Sequence, residues 1–462
     1  MSSFKYIKPK FFSVMKNYTR EQFIKDIIAG LIVAIIALPL SIALAIASGV
    51  NPEQGLYTAI IAGFFISFLG GSRVQIGGPT AAFVVIIYGI IAEHGIPGLI
   101  IATLLAGVML ILMGLFHFGD LIKFIPKTIT IGFTLGIAIG IVVGQIKDFL
   151  GLNMGAVPAE FLTKLVAYSH NLGSISYITL AIGILALLIQ IFWQKVSKKI
   201  PGSLVAIIVT TLLVAIFKLP VKTIGDLYTI KAGLPSFSMP VLSFSLVREM
   251  ILPAFTIAML AAIESLLSAV VSDGMIGSKH KSNAELVGQG VGNILSALFG
   301  GIPATGAIAR TAANVKNGGR TPVAGMVHAL TLLLILLFLM PYASYIPMSC
   351  LAAILIIVGY NMSGWRTFVR IIKTAPKSDI AVLIITFLLT LFFDLVIAIE
   401  FGMVLAAFLF LKRMSDIAEV RQWTYIGSSE DEKLSEDVDL KYVPKNTIVY
   451  EVFGALFFGA AN

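Results

Sequence analysis

Two charged residues, Glu264 in "AAIESLLSA" and Arg310 in "GAIARTA", stand in stretches otherwise apolar enough to be buried in lipid. A charge at membrane depth is costly, and it persists where it meets a substrate, a coupling ion or an opposite charge. Near them the chain twice breaks its own helices, at "IGGPTAAF" (76–83) and "GIPATGAI" (301–308), where glycine, proline and threonine concentrate. Two short helices starting at "PTAAF" and "ATGAI" would aim their positive amino-terminal ends at one point, and such ends bind anions. Thr80, Ala81, Thr305 and Gly306 are expected to present backbone amides there, and bulk added at Gly306 is expected to block the site while sparing the fold. Glu264 would carry a coupling ion, either a proton that neutralises it or a sodium ion. Ser268, one turn later on the same helix face, would add an oxygen ligand in the sodium case. Blander readings stand beside these: prolines that only kink packed helices, Glu264 as a buried anchor between helices, and an Arg310–Glu264 salt bridge that holds two halves together.

The elements that must position these residues are membrane helices. Apolar residues make up 58% of the chain and charged ones 12%, the composition of an integral membrane protein. Apolar runs such as 99–115, 178–193, 204–217, 326–340 and 380–393 approach the roughly 20 residues needed to cross about 30 Å of hydrocarbon. No cleavable signal peptide precedes them, and residues 1–26, with Lys5, Lys8, Lys10, Lys16, Arg20 and Lys25, read as a cytoplasmic lead. The net charge of +9 marks topology rather than a nucleic-acid partner. Basic residues gather in the segments assigned to the inside, including "KVSKK" (195–199) and Arg366, Arg370, Lys373 and Lys377. Lys147, Lys164, Lys218, Lys222, Lys231 and Arg248 fall in or beside two long outer connections, where charge has little influence on orientation.

The chain also repeats itself. Pro39 in "ALPLSIALA" leads Pro79 at nearly the separation by which Glu264 leads Pro303. A half with an odd number of spans emerges on the opposite face, so two halves of seven run inverted, an architecture that builds central sites from broken helices. The expected fold is therefore all-α and integral to the membrane, with fourteen transmembrane segments in a seven-plus-seven inverted repeat and two half-helices preceded by short extended stretches. The first repeat covers 27–246 and the second 247–413; 414–462 follow as a linker and soluble start.

Three stretches, "LPLSIALAIASGVNPEQGLYTA" (38–59), "GGSRVQIGGPTAAFVVI" (70–86) and the block from "ESLLSAVVSDGMIGSKHKSN" to "NVKNGGRTP" (264–322), resemble bacterial members of the SulP (sulfate permease) family of anion transporters. The resemblance covers almost the whole chain. It implies a core domain, spans 1 to 4 and 8 to 11, moving against a gate domain, spans 5 to 7 and 12 to 14. It also implies a homodimer, and a carboxy-terminal STAS domain whose first strand is matched by "NTIVYEVFGALFFGAAN" (446–462), the chain stopping short of the rest. By resemblance the anion lies among Leu40 and Leu44 of span 1, Thr80 and Ala81 of span 3, and Ala309 and Arg310 of span 10. Relatives with a glutamine or an aromatic in place of Leu40, Leu44 or Thr80 have different pocket walls, so anion size does not carry over from them.

The function expected is secondary active symport of a small anion (sulfate, bicarbonate or a dicarboxylate such as fumarate or succinate) with a proton or sodium, in a bacterial inner membrane with both termini cytoplasmic and membrane lipid around it. An uncoupled channel or an anion exchanger is the alternative; a channel has no need of a titratable Glu264. An intramembrane enzyme would need a nucleophile and base or a metal cluster, and no such constellation is legible. No cofactor or metal is expected: His94, His117, His170, His280 and His328 lack metal-ligand spacing, and Cys350 is the only cysteine and reads as a packing residue. Gly132, Gly136, Gly140 and Gly144 read as close packing of a gate helix. Lys279 and Lys281, in "DGMIGSKHKSN", read as an orientation signal, with lipid head groups as the lesser alternative.

Overall fold

The computed structural model describes residues 8–120, 126–155, 157–197, 200–229, 233–240, 243–393, 398, 401–402, 404–409, 419–424 and 448–453. A short helix α1 (Lys10–Val14) precedes α2 (Arg20–Ala47), which starts where the Thr19 side chain accepts the Gln22 amide at 3.2 Å. Helix α3 (Pro52–Leu69) opens with Pro52 in its first turn, and Gln54 accepts the Asn51 amide at 3.1 Å. After β1 (Gly77–Gly78) and a tight turn at Ala81–Phe83 comes α4 (Val84–Leu115). A straight helix of that length would outrun the bilayer at 1.5 Å per residue. It breaks at Gly95, whose φ of 65° is open to glycine, just ahead of Pro97.

The first half continues through α5 (Lys127–Gly144), α6 (Ile146–Leu150), α7 (Phe161–Asn171), α8 (Tyr177–Val196), α9 (Gly202–Phe217) and α10 (Ile224–Leu227). The second half begins with α11 (Phe244–Ile276), a few residues ahead of the boundary at 247, and α12 (Ser282–Leu298). Then follow β2 (Thr305–Gly306), α13 (Ile308–Lys316), α14 (Val323–Phe338), α15 (Met348–Met362), the short amphipathic α16 (Trp365–Thr374) and α17 (Lys377–Phe392). Strand β3 (Glu419–Thr424) pairs antiparallel with β4 (Ile448–Phe453), with Val420 opposite Val452. Strand β4 lies within the stretch matched to the first STAS strand; residues 454–462 of that stretch are outside the described residues. Among the described residues, five helical segments are long and apolar enough to cross a membrane: Arg20–Ala47, Ala81–Leu115, Lys127–Leu150, Phe244–Ile276 and Met348–Thr374. A half-helix such as α13 falls short of that length because its span is completed by extended chain.

The helices pack in two groups. In one, α2, α3, α4, α11, α12, α13 and α14 interleave the two halves; in the other, α5 packs on α17 and α15, and α8 on α9 and α15. In the first group α4 and α12 approach backbone to backbone. A Cβ on Gly107 would lie 2.7 Å from the Gly290 carbonyl, and one on Gly290 would lie 2.5 Å from the Gly107 carbonyl, so two backbones touch where only glycine fits. In the second group Gly132 and Gly136 of α5 meet the Leu383 backbone and the Thr390 side chain of α17, whereas Gly140 faces Val85 and Gly144 faces open space.

Two stretches of chain, residues 70–80 and 300–307, enter this interior outside the helices. Buried backbone groups must find partners, and side chains from distant helices supply them. The Glu285 carboxylate accepts the Gly71 and Ser72 amides, each at 2.9 Å; the Asn314 amide donates to the Val74 carbonyl at 2.9 Å; the Ile76 amide donates to the Thr311 hydroxyl at 3.0 Å. In the other stretch the Gln54 amide donates to the Gly300 carbonyl at 3.0 Å, and the Ile302 amide donates to the Thr58 hydroxyl at 2.7 Å. Asn293 serves both sides of Ala304, accepting its N–H at 2.8 Å and donating to its C=O at 2.9 Å.

Asn293→Leu is predicted to orphan both groups of Ala304 at a cost of about 1–3 kcal/mol each. The expected result is a melting temperature several degrees lower in detergent; an unchanged melting temperature would mean that the segment does not depend on this side chain.

Candidate functional site

The two extended stretches cross. Strands β1 and β2 pair antiparallel, Gly77 opposite Gly306 and Gly78 opposite Thr305, and the Ala307 amide donates to the Ile76 carbonyl at 2.9 Å. Gly78 has φ 148°, and a Cβ there would sit 2.6 Å from Nη1 of Arg310, so glycine is required for the guanidinium to pass beneath the strand. From the crossing the chain turns into its two half-helices. The first bond of the Ala81 turn runs from the Phe83 amide to the Thr80 carbonyl at 3.3 Å, and the first of α13 from the Thr311 amide to the Ala307 carbonyl at 2.8 Å. The amides ahead of these bonds, those of Ala81 and Ala82 and of Ile308, Ala309 and Arg310, are the leftover donors of a helix start.

The two membrane charges do not form an ion pair among the described residues. Each instead grips one of two consecutive residues at the mouth of the first half-helix. Nη2 of Arg310 donates to the Pro79 carbonyl, while the Thr80 hydroxyl donates to Oε2 of Glu264 at 3.1 Å. Arg310 is 2% exposed, and its Nε and Nη1 have no hydrogen-bond partner among the described residues. The salt-bridge reading of the pair therefore gives way to a linkage through Pro79 and Thr80.

Glu264 is partly exposed, and the exposure along its face of α11 continues in one direction. Every residue from 256 to 263 of α11 is buried, whereas Leu267, Val271 and Met275 continue the Glu264 face as exposed side chains toward the end of the helix. That end lies on the face carrying the amino terminus, since the Lys10 ammonium donates to the Lys279 carbonyl at 2.8 Å. Ile308 and Ala309 at the start of α13 are exposed as well.

The other expected site residues have definite places. Thr80 is half-buried at the half-helix mouth, and Ala81 begins the turn behind it. Leu40 is half-buried, and Leu44 is buried in the apolar cluster that holds Ala81 and Phe83. Thr305 and Gly306 lie in β2, one step before the mouth. The Thr305 hydroxyl donates to the Ala261 carbonyl at 2.9 Å, and the Gly306 amide to the Ser265 hydroxyl at 3.1 Å. Their polar groups are spent on the crossing, and the unused amides are those of Ile308, Ala309 and Arg310. A Cβ at Gly306 would fall on the Gln75 side-chain amide. Bulk there would break the crossing itself, which revises the expectation that it spares the fold.

Ser268 donates to Oε1 of Gln75 at 2.8 Å, and Gln75 in turn donates to the Ser265 carbonyl at 3.0 Å. Ser268 thus belongs to the scaffold under the crossing. Gln75, Ser265, Thr311, Asn314 and Asn293 are structural members of the site that the motif reading passed over. Their one sequence signal is a polar, uncharged side chain in an apolar stretch flanking a glycine break.

Residues 23–386 match the sequence profile of the sulfate permease family. The putative sulfate transporter YvdB of Bacillus subtilis is 43% identical over 459 residues, 98% of this chain and 84% of its own. The bicarbonate transporter BicA of Picosynechococcus is 33% identical over 451 residues, 95% of this chain and 79% of its own. Among solved structures, the transmembrane domain of a cyanobacterial bicarbonate transporter BicA superposes with a TM-score of 0.75 at 31% identity, covering 82% of this chain and 98% of that one. The murine solute carrier 26 family member A9 anion transporter, in its inward-facing state, superposes with a TM-score of 0.85 over 93% of this chain and 75% of its own; at 17% identity it speaks for the fold alone. With a profile match spanning most of its length and relatives above 30% identity along nearly all of it, this membrane chain belongs to the sulfate permease family of anion transporters.

Proposed function

We propose that the chain carries a small oxyanion across a bacterial inner membrane, both termini on the cytoplasmic side, by alternating access and in symport with a proton. The observation that carries this reading is the mouth of the half-helices. There, leftover amides, an incompletely paired Arg310 and a partly exposed Glu264 come together, with exposure along the Glu264 face of α11 continuing toward one end of the helix only. The amides and the guanidinium suit a negative oxygen, and the relatives named for sulfate and bicarbonate support an oxyanion as the cargo. One-sided exposure of Glu264 is what a carrier needs, because a carrier opens its site to one face at a time, and the division of helices into two packed groups gives a surface for that motion.

The coupling ion is read from the partners of Glu264. A proton needs only the carboxylate, whereas a sodium ion needs several oxygens around it. Thr80 is the hydroxyl on Glu264, and Ser268, which would have added another ligand, is committed to Gln75. Uptake of sulfate, bicarbonate, fumarate and succinate into proteoliposomes, each under an imposed proton or sodium gradient, tests the reading. Gradient-independent flux of all of them would make the protein a channel.

Glu264→Gln keeps an oxygen that can accept the Thr80 hydroxyl while fixing the neutral state. The variant is expected to bind and exchange the anion but to lose accumulation driven by an inward proton gradient. Accumulation equal to the parent's under that gradient would remove Glu264 as the coupling residue.

For Arg310→Ala, loss of a charge-assisted hydrogen bond predicts anion binding weaker by about 1.5–3 kcal/mol, on the order of ten- to a hundredfold in Kd. Arg310→Lys, which restores the charge without the planar fork, is expected to recover part of it. Calorimetric titration of the purified variants checks both, and unchanged affinity in a folded Arg310→Ala protein would confine Arg310 to holding Pro79.

A further inference from the structure

On the face that carries the amino terminus, away from the half-helix mouths, a cavity of 560 Å³ is lined by Lys10, Arg73 and Arg320 together with Ser13, Asn17, Tyr18, Thr19, Gln22 and Thr321. Three cations thus converge on one polar space. Nε of Arg73 is buried without a hydrogen-bond partner among the described residues. Burial and the neighbouring Arg73 charge hold the Lys10 ammonium below its ordinary proton affinity, outweighing the opposite charge of Asp273, so two like charges face each other across the cavity. Two acids stand nearby, both already hydrogen-bonded. Asp26 accepts from Tyr18, Gln22, the Arg320 amide and Thr321, and Asp273 accepts from Ser278 and the His280 amide and pairs with the His280 ring. Lys10 spends one donor on the Lys279 carbonyl, and Arg320 spends Nη1 on the Val315 and Gly319 carbonyls.

The surroundings place this cavity at a membrane edge. Phe11 and Phe12 of α1 pack on Phe68 with ring centroids 5.1 and 5.9 Å apart, and Phe12 is 45% exposed. An aromatic edge beside a cluster of Lys and Arg is the combination that meets an anionic headgroup. We propose that Lys10, Arg73 and Arg320 form a second anion site, distinct from the transport site, that takes a phosphate group, borne either by a lipid headgroup or by a soluble phosphate. Arg73 begins the stretch leading into β1, and Arg320 follows α13. A phosphate bridging them to α1 ties together the ends of both crossing segments.

The test is the melting temperature of the full chain, in phosphatidylcholine nanodiscs titrated with inorganic phosphate and in nanodiscs containing phosphatidylglycerol. The parent is expected to be stabilised in at least one arm, the phosphate arm identifying a soluble ligand and the phosphatidylglycerol arm a headgroup. Arg73→Gln and Lys10→Gln are expected to weaken the effect about tenfold in half-saturating concentration, while Arg73→Gln without anion melts no lower than the parent because a repulsion has been relieved. Arg310→Ala is expected to keep the stabilisation. Stabilisation that Arg73→Gln and Lys10→Gln both retain, or that Arg310→Ala alone abolishes, or its absence from both arms, would overturn the proposal.

Discussion

The structure depends on satisfying the backbone of two non-helical segments inside a membrane protein. Residues 70–80 and 300–307 bring N–H and C=O groups to a depth where water is scarce, and an orphaned group there costs about 1–3 kcal/mol. The segments solve part of the problem by pairing with each other at Gly77–Gly306 and Gly78–Thr305. The remainder is solved by side chains, several of them from the opposite half of the chain. Glu285, Thr311 and Asn314 hold the first segment, while Gln54 and Thr58 hold the second. Each half is thus completed by the other, and the interleaved packing of α2, α3, α4, α11, α12, α13 and α14 follows from that exchange.

The proposed function uses what this arrangement leaves over. A helix that begins at the crossing has first-turn amides with no backbone acceptor, and two such helices begin there. Arg310 and Glu264 are attached to the same mouth through adjacent residues, Pro79 and Thr80. A shift of either charge is therefore felt by the turn that opens the first half-helix. Neither charge contacts the other directly, and Glu264 lies on the face of α11 that Leu267, Val271 and Met275 continue as exposed side chains.

Small residues set how the two helix groups can behave. Between α4 and α12, Gly107 and Gly290 bring backbone onto backbone, which locks that pair as one unit. Along α5, Gly132 and Gly136 make a similar seat for α17, while Gly140 and Gly144 do not. One four-residue repeat therefore serves helix packing over its first half only. At Gly140, which faces Val85 beside the half-helix mouth, an added Cβ would meet that side chain at an ordinary contact distance of 3.5 Å, so this place does not demand glycine.

Much of this was legible in the sequence because it rests on composition and local pattern. Apolar content fixes the membrane class, glycine and proline mark the helix breaks at 76–83 and 301–308, and an isolated Glu264 or Arg310 draws attention by its cost alone. The family resemblance was carried by the same motifs. What the sequence could not decide were partnerships between residues more than 180 positions apart: Glu264 with Thr80, Arg310 with Pro79, Ser268 with Gln75, and Glu285 with Gly71. Thr305 and Gly306 looked like a helix mouth, and only the pairing with Gly77 and Gly78 showed that their polar groups are consumed by a strand. Local propensity specifies that a helix must stop; which distant side chain catches the backbone it releases depends on three-dimensional packing, and that was decided only by the tertiary fold.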